Sequence, residues 1–411
     1  MNQEKRQPEV NIGVVGHVDH GKTTLVQALT GIWTARHSEE LKRAMSIKLG
    51  YADGDIYECL DLPLPERFTT EPKCKEPRYR RSVSYVDAPG HEVLMATMLS
   101  GAALMDGAIL VIAANEPCPQ PQTREHFAAL EIVGVRNIVV VQNKVDVVTK
   151  EQALKNYNQI KRFLEGTWAE DAPIIPVSAL HKLNIDALVM AIEKFIPTPE
   201  RDLTASPLMF IVRSFDVNKP GTPPDKLVGG VVGGSLLKGT LRVGDEIEIK
   251  PGVRVIKGKV GETYEPLITK VTSIRFGARE FKEAKPGGLV AIGTELDPAI
   301  TKADRLVGNV LGKVGTLPDP AYQLTIEYNL MERVIGTKEL LKVRPLMRGE
   351  RIMITAGSAV TLGNIIKLGR DVFEVKLRKP IVAWEGMRIA ISRQVLGRWR
   401  LVGWGLIKEF S

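Results

Sequence analysis

The chain has 411 residues, of which 44% are apolar and 25% charged, and its formal net charge is +8. This length predicts two or three domains, and the composition is that of a globular protein without an apolar segment long enough to span a membrane. The polar start lacks the apolar core of a secretory signal, so we expect a cytoplasmic protein. Three cysteines, Cys59, Cys74 and Cys118, are too few for a disulfide framework and agree with a reducing compartment.

The positive charge is concentrated near the end of the chain. From Ile326 to Ser411 there are 16 Lys and Arg against 8 Asp and Glu, so this region carries the whole net charge of +8. Such an excess favours a polyanionic partner, and a soluble basic surface is the alternative.

Residues 10–195 alternate between short β-branched runs and helical patterns, which predicts a doubly wound α/β domain with a mostly parallel sheet. Thr149 and Gln152 have capping-box spacing at the start of the fourth helix. The predicted strands are Val10–Gly16, Ser82–Asp87, Ala108–Ala114, Asn137–Gln142 and Ile174–Val177, and the predicted helices lie near Lys22–Leu29, Glu92–Met105, Gln122–Val133, Lys150–Glu165 and Ile185–Phe195.

A proline-rich linker, Ile196–Pro207, precedes a different pattern. Short strands interrupted by Gly and Pro, such as Lys226–Leu237 and Ile352–Ala356, are typical of antiparallel β-barrels. The prolines of 318–323 and the onset of the basic excess indicate a further boundary. We therefore expect an α/β domain over residues 1–200 and two barrels over 207–322 and 323–411.

The first predicted strand and helix are joined by G-H-V-D-H-G-K-T at positions 16–23, which fits the G-x-x-x-x-G-K-[ST] pattern of phosphate-binding loops. Backbone N–H groups of such a loop surround phosphates at a helix N-terminus, Lys22 reaches their oxygens and the Thr23 hydroxyl binds Mg²⁺. A Gly-rich turn without a ligand is the alternative. The context between strand and helix favours a nucleotide site.

The segment N-K-V-D, at positions 143–146, follows the predicted strand Asn137–Gln142. Asp146 can accept from the N1–H and the 2-amino group of guanine, which adenine does not offer, so GTP is the predicted nucleotide. An ordinary polar turn is the alternative. After the next strand, Ser178, Ala179 and Leu180 would supply backbone and hydroxyl contacts near the guanine O6.

The segment D-A-P-G, at positions 87–90, follows the strand Ser82–Asp87 and matches the D-x-x-G element. Asp87 can hold Mg²⁺ through a water, and the Gly90 N–H can sense the γ-phosphate. His91 comes next, where a residue that orients the attacking water belongs, with a capping or surface role as the alternative. Asp19, beside the phosphates, is the other candidate for positioning that water.

With these motifs the chain resembles the translational GTPases, and most closely the gamma-subunit family of archaeal and eukaryotic initiation factor 2. G-H-V-D-H-G-K-T-T, D-A-P-G-H and N-K-V-D are shared with the wider group, which includes elongation factor Tu. More specific are S-E-E-L-K-R at 38–43, A-N-E-P-C-P-Q-P-Q-T-R-E-H at 114–126, S-F-D-V-N-K-P-G-T at 214–222 and G-R-W-R-L-V-G-W-G at 397–405. The resemblance covers essentially the whole chain and implies a GTPase domain followed by two β-barrels.

The resemblance also implies the contacts of individual residues. The first switch would lie around 36–50, with Ser46 in place of the usual Thr as a Mg²⁺ ligand and Ala44 in place of the usual Gly. Asp19 and the Ala44 backbone are candidates for a second Mg²⁺. The residues similar to the family's GTP or GDP contacts are Asp19, His20, Gly21, Lys22, Thr23, Thr24, Asn143, Lys144, Asp146, Ser178, Ala179 and Leu180.

A second departure from the family concerns an insert at about 51–81, where gamma subunits commonly carry a zinc knuckle with two C-x-x-C pairs. Here Leu62 and Pro77 occupy the places of the second cysteines. The remaining thiolates of Cys59 and Cys74 cannot complete a tetrahedral zinc site unless Asp61, Glu76 or a partner contributes, so no zinc is expected.

The implied partners are initiator methionyl-tRNA, the alpha and beta subunits and the small ribosomal subunit, with no membrane. For tRNA phosphates the basic region offers Arg388, Arg393, Arg398 and Arg400, with Trp399 for stacking and Trp404 expected in the barrel core. Another aminoacyl-tRNA carrier of the elongation or selenocysteine type, a metabolic GTPase of the same fold, and a scaffold that binds GTP without turnover remain as alternatives.

Overall fold

A computed structural model describes residues 6–34, 50–88, 95–257, 261–334 and 341–411. The chain divides into two compact units. One consists mainly of Pro8–Pro199, and the other mainly of Glu200–Glu332 and Lys342–Ser411. None of the helices in these ranges is long and apolar enough to cross a membrane.

The first unit contains a sheet of seven strands, with the order β3-β2-β4-β1-β5-β6-β7. Strands β4, β1, β5, β6 and β7 run parallel, and β2 and β3 add an antiparallel edge. The strands are β1 Val10–Gly16, β2 Gly50–Glu58, β3 Phe68–Thr69, β4 Arg78–Asp87, β5 Gly107–Ala113, β6 Asn137–Asn143 and β7 Ile174–Pro176. Strands β1 and β5 are buried along their whole length, as their continuous apolar runs predict.

Five helices are described beside this sheet, and each coincides with a predicted helix. They are α1 Lys22–Thr30, α2 Met95–Ala102, α3 Pro121–Val133, α4 Lys150–Leu164 and α5 Ile185–Phe195. The capping box predicted at Thr149 is present, with Gln152 N donating to the Thr149 hydroxyl and the Gln152 side chain accepting from Thr149 N. Helices α1 and α5 contribute Leu25, Leu29, Leu188 and Ile192 to the core.

The expectation of free thiols at Cys59 and Cys74 is wrong, because the two residues form a disulfide. The antiparallel edge explains this. Strand β2 ends just before Cys59, the chain turns back through β3, and the Cα atoms of the two cysteines come within 5.8 Å. Sequence spacing alone did not indicate this approach. Asp61 lies with the two sulfurs in a group of possible metal ligands, but disulfide-bonded sulfurs are not thiolates.

The second unit begins with a barrel of antiparallel strands in the order β11-β16-β8-β9-β15-β12. The barrel is closed because β11 also pairs with β12, and the short strand β13 pairs with β12. The strands of this region are β8 Leu208–Phe215, β9 Val231–Lys238, β10 Leu241–Arg242, β11 Glu246–Lys257, β12 Gly261–Phe276, β13 Arg279–Phe281, β14 Glu283–Ala284, β15 Val290–Thr294 and β16 Val310–Lys313, with a short helix α6 at Pro298–Thr301. Strands β10 and β14 form a separate two-stranded sheet. A Cβ at Gly234 would lie 1.8 Å from the Phe210 carbonyl oxygen, so this glycine allows β8 and β9 to pack closely.

A second closed barrel follows, with the order β17-β20-β19-β18-β21-β22. Its strands are β17 Pro320–Leu330, β18 Arg351–Ala356, β19 Ala359–Leu368, β20 Val372–Val382, β21 Arg388–Val395 and β22 Arg398–Phe410. Their inward residues, such as Ile352, Ile365 and Phe373, are fully or almost fully buried. An α/β domain followed by two antiparallel barrels is therefore the fold, as the sequence predicts.

Candidate nucleotide-binding site

The candidate site lies where the parallel strands of the first unit end. The loop 16–23 joins the C-terminal end of β1 to the start of α1, with Gly21 at the helix N-cap in the left-handed region, at φ 87°. Asp19 also has a positive φ of 60° and is exposed, whereas His20 is fully buried. The loop therefore has the turn that lets backbone N–H groups at a helix N-terminus face an anion.

Lys22 is the charged side chain of this loop. Only 7% of the residue is exposed, and its Nζ donates to the His17 carbonyl oxygen at 2.6 Å. Burial lowers the pKa of Lys22 to about 8, while Asp87 and Asp19 act in the opposite direction. The ammonium therefore lies in a dry position, where its charge acts strongly on a bound phosphate.

Two hydroxyl groups converge on the buried carboxylate at the end of β4. Thr23 Oγ1 and Thr34 Oγ1 each donate to Asp87 Oδ2 at 2.7 Å. The arrangement joins the predicted Mg²⁺ ligand Thr23 to the predicted D-x-x-G aspartate. Hydroxyl and carboxylate oxygens are donors that suit Mg²⁺, so these residues fit that ion. Sequence reasoning missed Thr34, which lies just before the predicted first switch and belongs to no motif.

Asn143 connects the guanine motif to the phosphate loop. Its Nδ2 donates to the His20 carbonyl oxygen at 2.9 Å, and its Oδ1 accepts from Ala179 N at 3.0 Å. One buried amide thus holds three segments together: the phosphate loop, the end of β6 and the segment after β7. Neighbouring parallel strands end at the same edge of the sheet, which explains the proximity.

The side chains around Asp146 fix its carboxylate. A hydrogen bond from the Ser178 side chain holds the pKa of Asp146 below its usual value, and His181 Nε2 lies 3.7 Å from Asp146 Oδ2. Ser178 is fully buried, and its hydroxyl forms a hydrogen bond with the Asp146 carboxylate. Leu180, which is 73% exposed, provides the surface next to it. Lys144 has a positive φ of 63°, where the chain turns from β6 toward Asp146.

Four predicted site residues, Ala44, Ser46, Gly90 and His91, lie outside the described residues. The described members, including the partly buried Thr24, lie in the three segments that meet at this edge of the sheet, except Asp87, which ends β4.

Three of the four arginines predicted to contact tRNA phosphates have internal roles. Arg400 is only 7% exposed, Arg388 stacks over the Trp404 ring at 4.3 Å, and Arg393 is paired with Glu350. The prediction of a phosphate contact is therefore wrong for Arg400, which lies in a buried stretch of β22. Arg398 is exposed.

A different basic surface lies on the outer face of the second barrel, and we call it the basic groove. It has a volume of about 420 Å³ and is lined by Arg351, Leu362, Gly363, Asn364, Ile366, Lys376, Leu377 and Arg378. Arg351, Asn364 and Lys376 lie opposite one another on three adjacent strands. The nearby carboxylates Glu350 and Glu374 already pair with Arg393 and Lys367, and within the described ranges the groove's cations form no ion pair.

Comparison with known proteins agrees with this organisation. The profile of the elongation factor Tu GTP-binding domain matches residues 7–198, and that of the initiation factor eIF2 gamma C-terminal domain matches residues 322–407. Translation initiation factor 2 subunit gamma from Aeropyrum pernix is 64% identical over 410 residues, covering 98% of this chain and 99% of that protein. The protein of the same name from Pyrococcus abyssi is 58% identical over 412 residues, covering 99% of each chain.

Solved structures of lower identity share the fold. A bacterial selenocysteine-specific elongation factor has a TM-score of 0.74 at 24% identity, covering 97% of this chain and 58% of its own. The elongation factor SelB from Methanococcus maripaludis, solved with a GTP analogue, has a TM-score of 0.72 at 23% identity, covering 99% of this chain and 80% of its own. The full-length relatives, the two matching profiles and the site geometry agree. The chain therefore belongs to the gamma-subunit family of translation initiation factor 2, whose members are translational GTPases that bind and hydrolyse GTP.

Proposed function

We propose that the GTP-bound chain carries initiator methionyl-tRNA to the small ribosomal subunit and releases it after GTP hydrolysis. It would act in the cytoplasm with an alpha and a beta subunit. The observation that carries this proposal is the identity of 64% along nearly the whole chain to an initiation factor 2 gamma subunit. The selenocysteine carriers support only the fold, because their identities are 24% and 23%.

In the proposed nucleotide contacts, backbone N–H groups from Asp19 to Thr24 surround the phosphates, and Lys22 neutralises their charge. Asp146 accepts from guanine, and Asn143 keeps the base and phosphate segments together through its two hydrogen bonds. Thr23 would hold Mg²⁺ directly and Asp87 through a water. When bound, the ion offsets negative charge on the phosphates.

The remaining roles fall on Asp19 and on Ala44, Ser46, Gly90 and His91, which lie outside the described residues. We propose that Ser46 adds a hydroxyl ligand for Mg²⁺, that the Gly90 N–H senses the γ-phosphate and that His91 orients the attacking water. Asp19 is the second candidate for that orienting role, and with the Ala44 backbone it would serve a second Mg²⁺. We propose domains at residues 1–200, 207–322 and 323–411, of which the last boundary falls within β17, which begins at Pro320.

The basic groove supports an RNA partner for the second unit. Its three cations are exposed and have neither a carboxylate partner nor a stacking ring among the described residues. Arg can bridge phosphate oxygens, and the Asn364 amide can donate to another. Strands are about 4.8 Å apart, so the backbones at Arg351 and Lys376 are separated by roughly 10 Å. The groove would therefore contribute attraction to phosphates, and recognition of the amino acid would lie elsewhere.

Filter binding tests both parts of the proposal. The GTP-loaded chain would be titrated with methionylated initiator tRNA, uncharged initiator tRNA and an aminoacylated elongator tRNA over a series of salt concentrations. The double variant Arg351→Ala/Lys376→Ala removes two of the proposed phosphate contacts. Lys155→Ala/Arg162→Ala, which removes two exposed cations from α4, is the matched control.

We expect tight binding of methionylated initiator tRNA only. In the groove variant the slope of log affinity against log salt concentration should be smaller by roughly 1.4 to 1.8, because each lost phosphate contact removes about 0.7 to 0.9. Discrimination against uncharged tRNA should persist, because phosphates carry no information about the amino acid. Equal affinity for elongator tRNA would contradict the initiator assignment. An unchanged slope in the groove variant would exclude the groove and leave the first barrel, around Val228–Ser235, as the tRNA surface.

A further inference from the structure

A histidine on a neighbouring helix contacts the phosphate-binding loop from its buried side. His126 lies on α3, only 1% of it is exposed, and its Nδ1 is 2.9 Å from Gly16 N. Gly16 is both the last residue of β1 and the first residue of the phosphate loop. The hydrogen bond therefore acts at the point where the rigid strand becomes the loop.

The direction of this bond defines the state of the imidazole. A backbone N–H can only donate, so Nδ1 of His126 must be the acceptor and the ring proton must be on Nε2. Burial, with the charge of nearby Lys22 acting in the same direction, lowers the pKa of His126 to about 3. The ring is therefore neutral throughout the neutral pH range, and Nδ1 remains available as an acceptor.

Gly16 packs closely against β5, and no larger residue fits at its position. Its φ is +142°, and a Cβ there would lie 2.3 Å from the Val111 carbonyl oxygen on β5. The residue is buried, so its N–H lies away from bulk water. Without His126, the Gly16 N–H would be a buried donor without a partner unless the loop moved, and such groups are strongly disfavoured.

A second buried histidine holds the same region from the loop itself. His20 Nδ1 is 3.0 Å from the Val111 carbonyl oxygen, which can only accept, so this ring carries its proton on Nδ1. Burial lowers the pKa of His20 to about 4, and its Nε2 lies 3.3 Å from Glu116 Oε2. Two buried histidines thus hold the Gly16 N–H and the Val111 carbonyl, which lie beside each other.

We propose that His126 is a positioning residue for nucleotide binding: its neutral Nδ1 fixes the Gly16 N–H and so preforms the loop that receives the phosphates. This inference rests on the proposed phosphate contacts of residues 19–24. His126 touches neither nucleotide nor Mg²⁺ in this proposal. Its effect is on nucleotide affinity, because a loop that must be reshaped binds more weakly than one already formed.

The test compares substitutions that keep or remove the acceptor. His126→Asn places an amide oxygen near the Nδ1 position, and His126→Leu has a similar bulk to histidine without an acceptor. His126→Gln, with its amide at the Nε2 position, is a second variant lacking the acceptor in case the leucine variant does not fold. The affinity of the full chain for fluorescent GDP and the melting temperature without nucleotide would be measured for each.

The controls separate a loss of stability from a loss of loop geometry. Phe127→Leu removes ring contacts with Phe163 and Trp168, at centroid distances of 5.1 and 5.0 Å, from the next position of the same helix. It should lower the melting temperature and leave GDP affinity unchanged. Lys22→Ala removes a proposed phosphate contact. It should bind GDP more weakly whether or not His126 has the proposed role, so it tests the phosphate site separately.

We expect His126→Leu and His126→Gln to weaken GDP binding by about 10- to 100-fold, in line with the cost of an unpaired buried donor. His126→Asn should remain within about threefold of the natural chain although its core packing is also reduced. If His126→Asn and His126→Leu bound GDP equally well, or if His126→Leu kept full affinity, the inference would be wrong. The proposed phosphate site would still stand, provided that Lys22→Ala binds GDP weakly. If Lys22→Ala also bound GDP normally, the phosphate site itself and the inference would both be wrong.

Discussion

The buried position of Lys22 predicts that nucleotide affinity depends on pH above neutrality. The pKa of this ammonium is about 8 in the nucleotide-free chain, because burial disfavours its charged form. Phosphates favour the charged form, so the pKa must rise when a nucleotide binds. Below pH 7 Lys22 is already charged and affinity should be constant. Above pH 8 binding must take up a proton, so affinity should fall as pH rises.

The size of the effect follows from the fraction of Lys22 that is charged before binding. With a pKa of about 8, this fraction is about 0.9 at pH 7 and about 0.1 at pH 9. If only the charged form binds, GDP affinity falls by about tenfold over these two pH units. A lysine with an ordinary pKa of about 10.4 would remain charged, and affinity would change by less than about 10%.

The assay is equilibrium binding of fluorescent GDP between pH 6.5 and 9 at constant ionic strength. Lys22→Arg is the control, since a guanidinium remains charged over this range and any titration of the guanine base affects both proteins equally. The comparison uses the pH dependence of each protein and not its absolute affinity. Constant affinity of the natural chain from pH 7 to pH 9, or an equal decrease in the arginine variant, would refute the reasoning.

Two further predictions concern base selection and the insert. Asp146→Asn should shift preference from GTP toward xanthosine triphosphate, because an amide can donate to a 2-oxo group that repels a carboxylate; unchanged GTP preference in a competition assay would contradict the guanine contact. Replacing Cys59 and Cys74 with Ala opens a loop with a sequence separation of 15, which the chain-entropy estimate values at about 3 kcal/mol. The first unit should then melt about 6–12 °C lower, as should the reduced natural chain, and identical melting curves with and without reductant would exclude this stabilisation.

Much of the fold follows from local sequence patterns. The buried run Val10–Gly16 predicts its strand correctly, and the amphipathic pattern of Ile185–Phe195 gives the correct helix bounds. Both signals are local, because burial on two faces needs a continuous apolar run and burial on one helical face needs the 3.6-residue period. The antiparallel strand β2 was missed, since polar residues such as Asp53 and Asp55 interrupt its alternation.

Sequence motifs also identified the segments of the nucleotide site, because fixed spacing in a loop after a strand has a direct chemical reason. They did not indicate which side chains support those segments. Thr34, Ser178 and His126 act through hydrogen bonds to Asp87, Asp146 and Gly16, respectively, and these partners are 32 to 110 residues away along the chain.

The positive charge shows the same division between sequence and structure. Its concentration after Ile326 is a property of the sequence and indicates a polyanionic partner. Strand register decides which cations face outward and which are used internally: it buries Arg400 and places Arg351 and Lys376 together on the groove. The sequence by itself therefore determined the fold class, the family and the nucleotide motifs. The tertiary structure alone decided the disulfide, the supporting hydrogen bonds and the basic surface, because each depends on residues that only folding brings together.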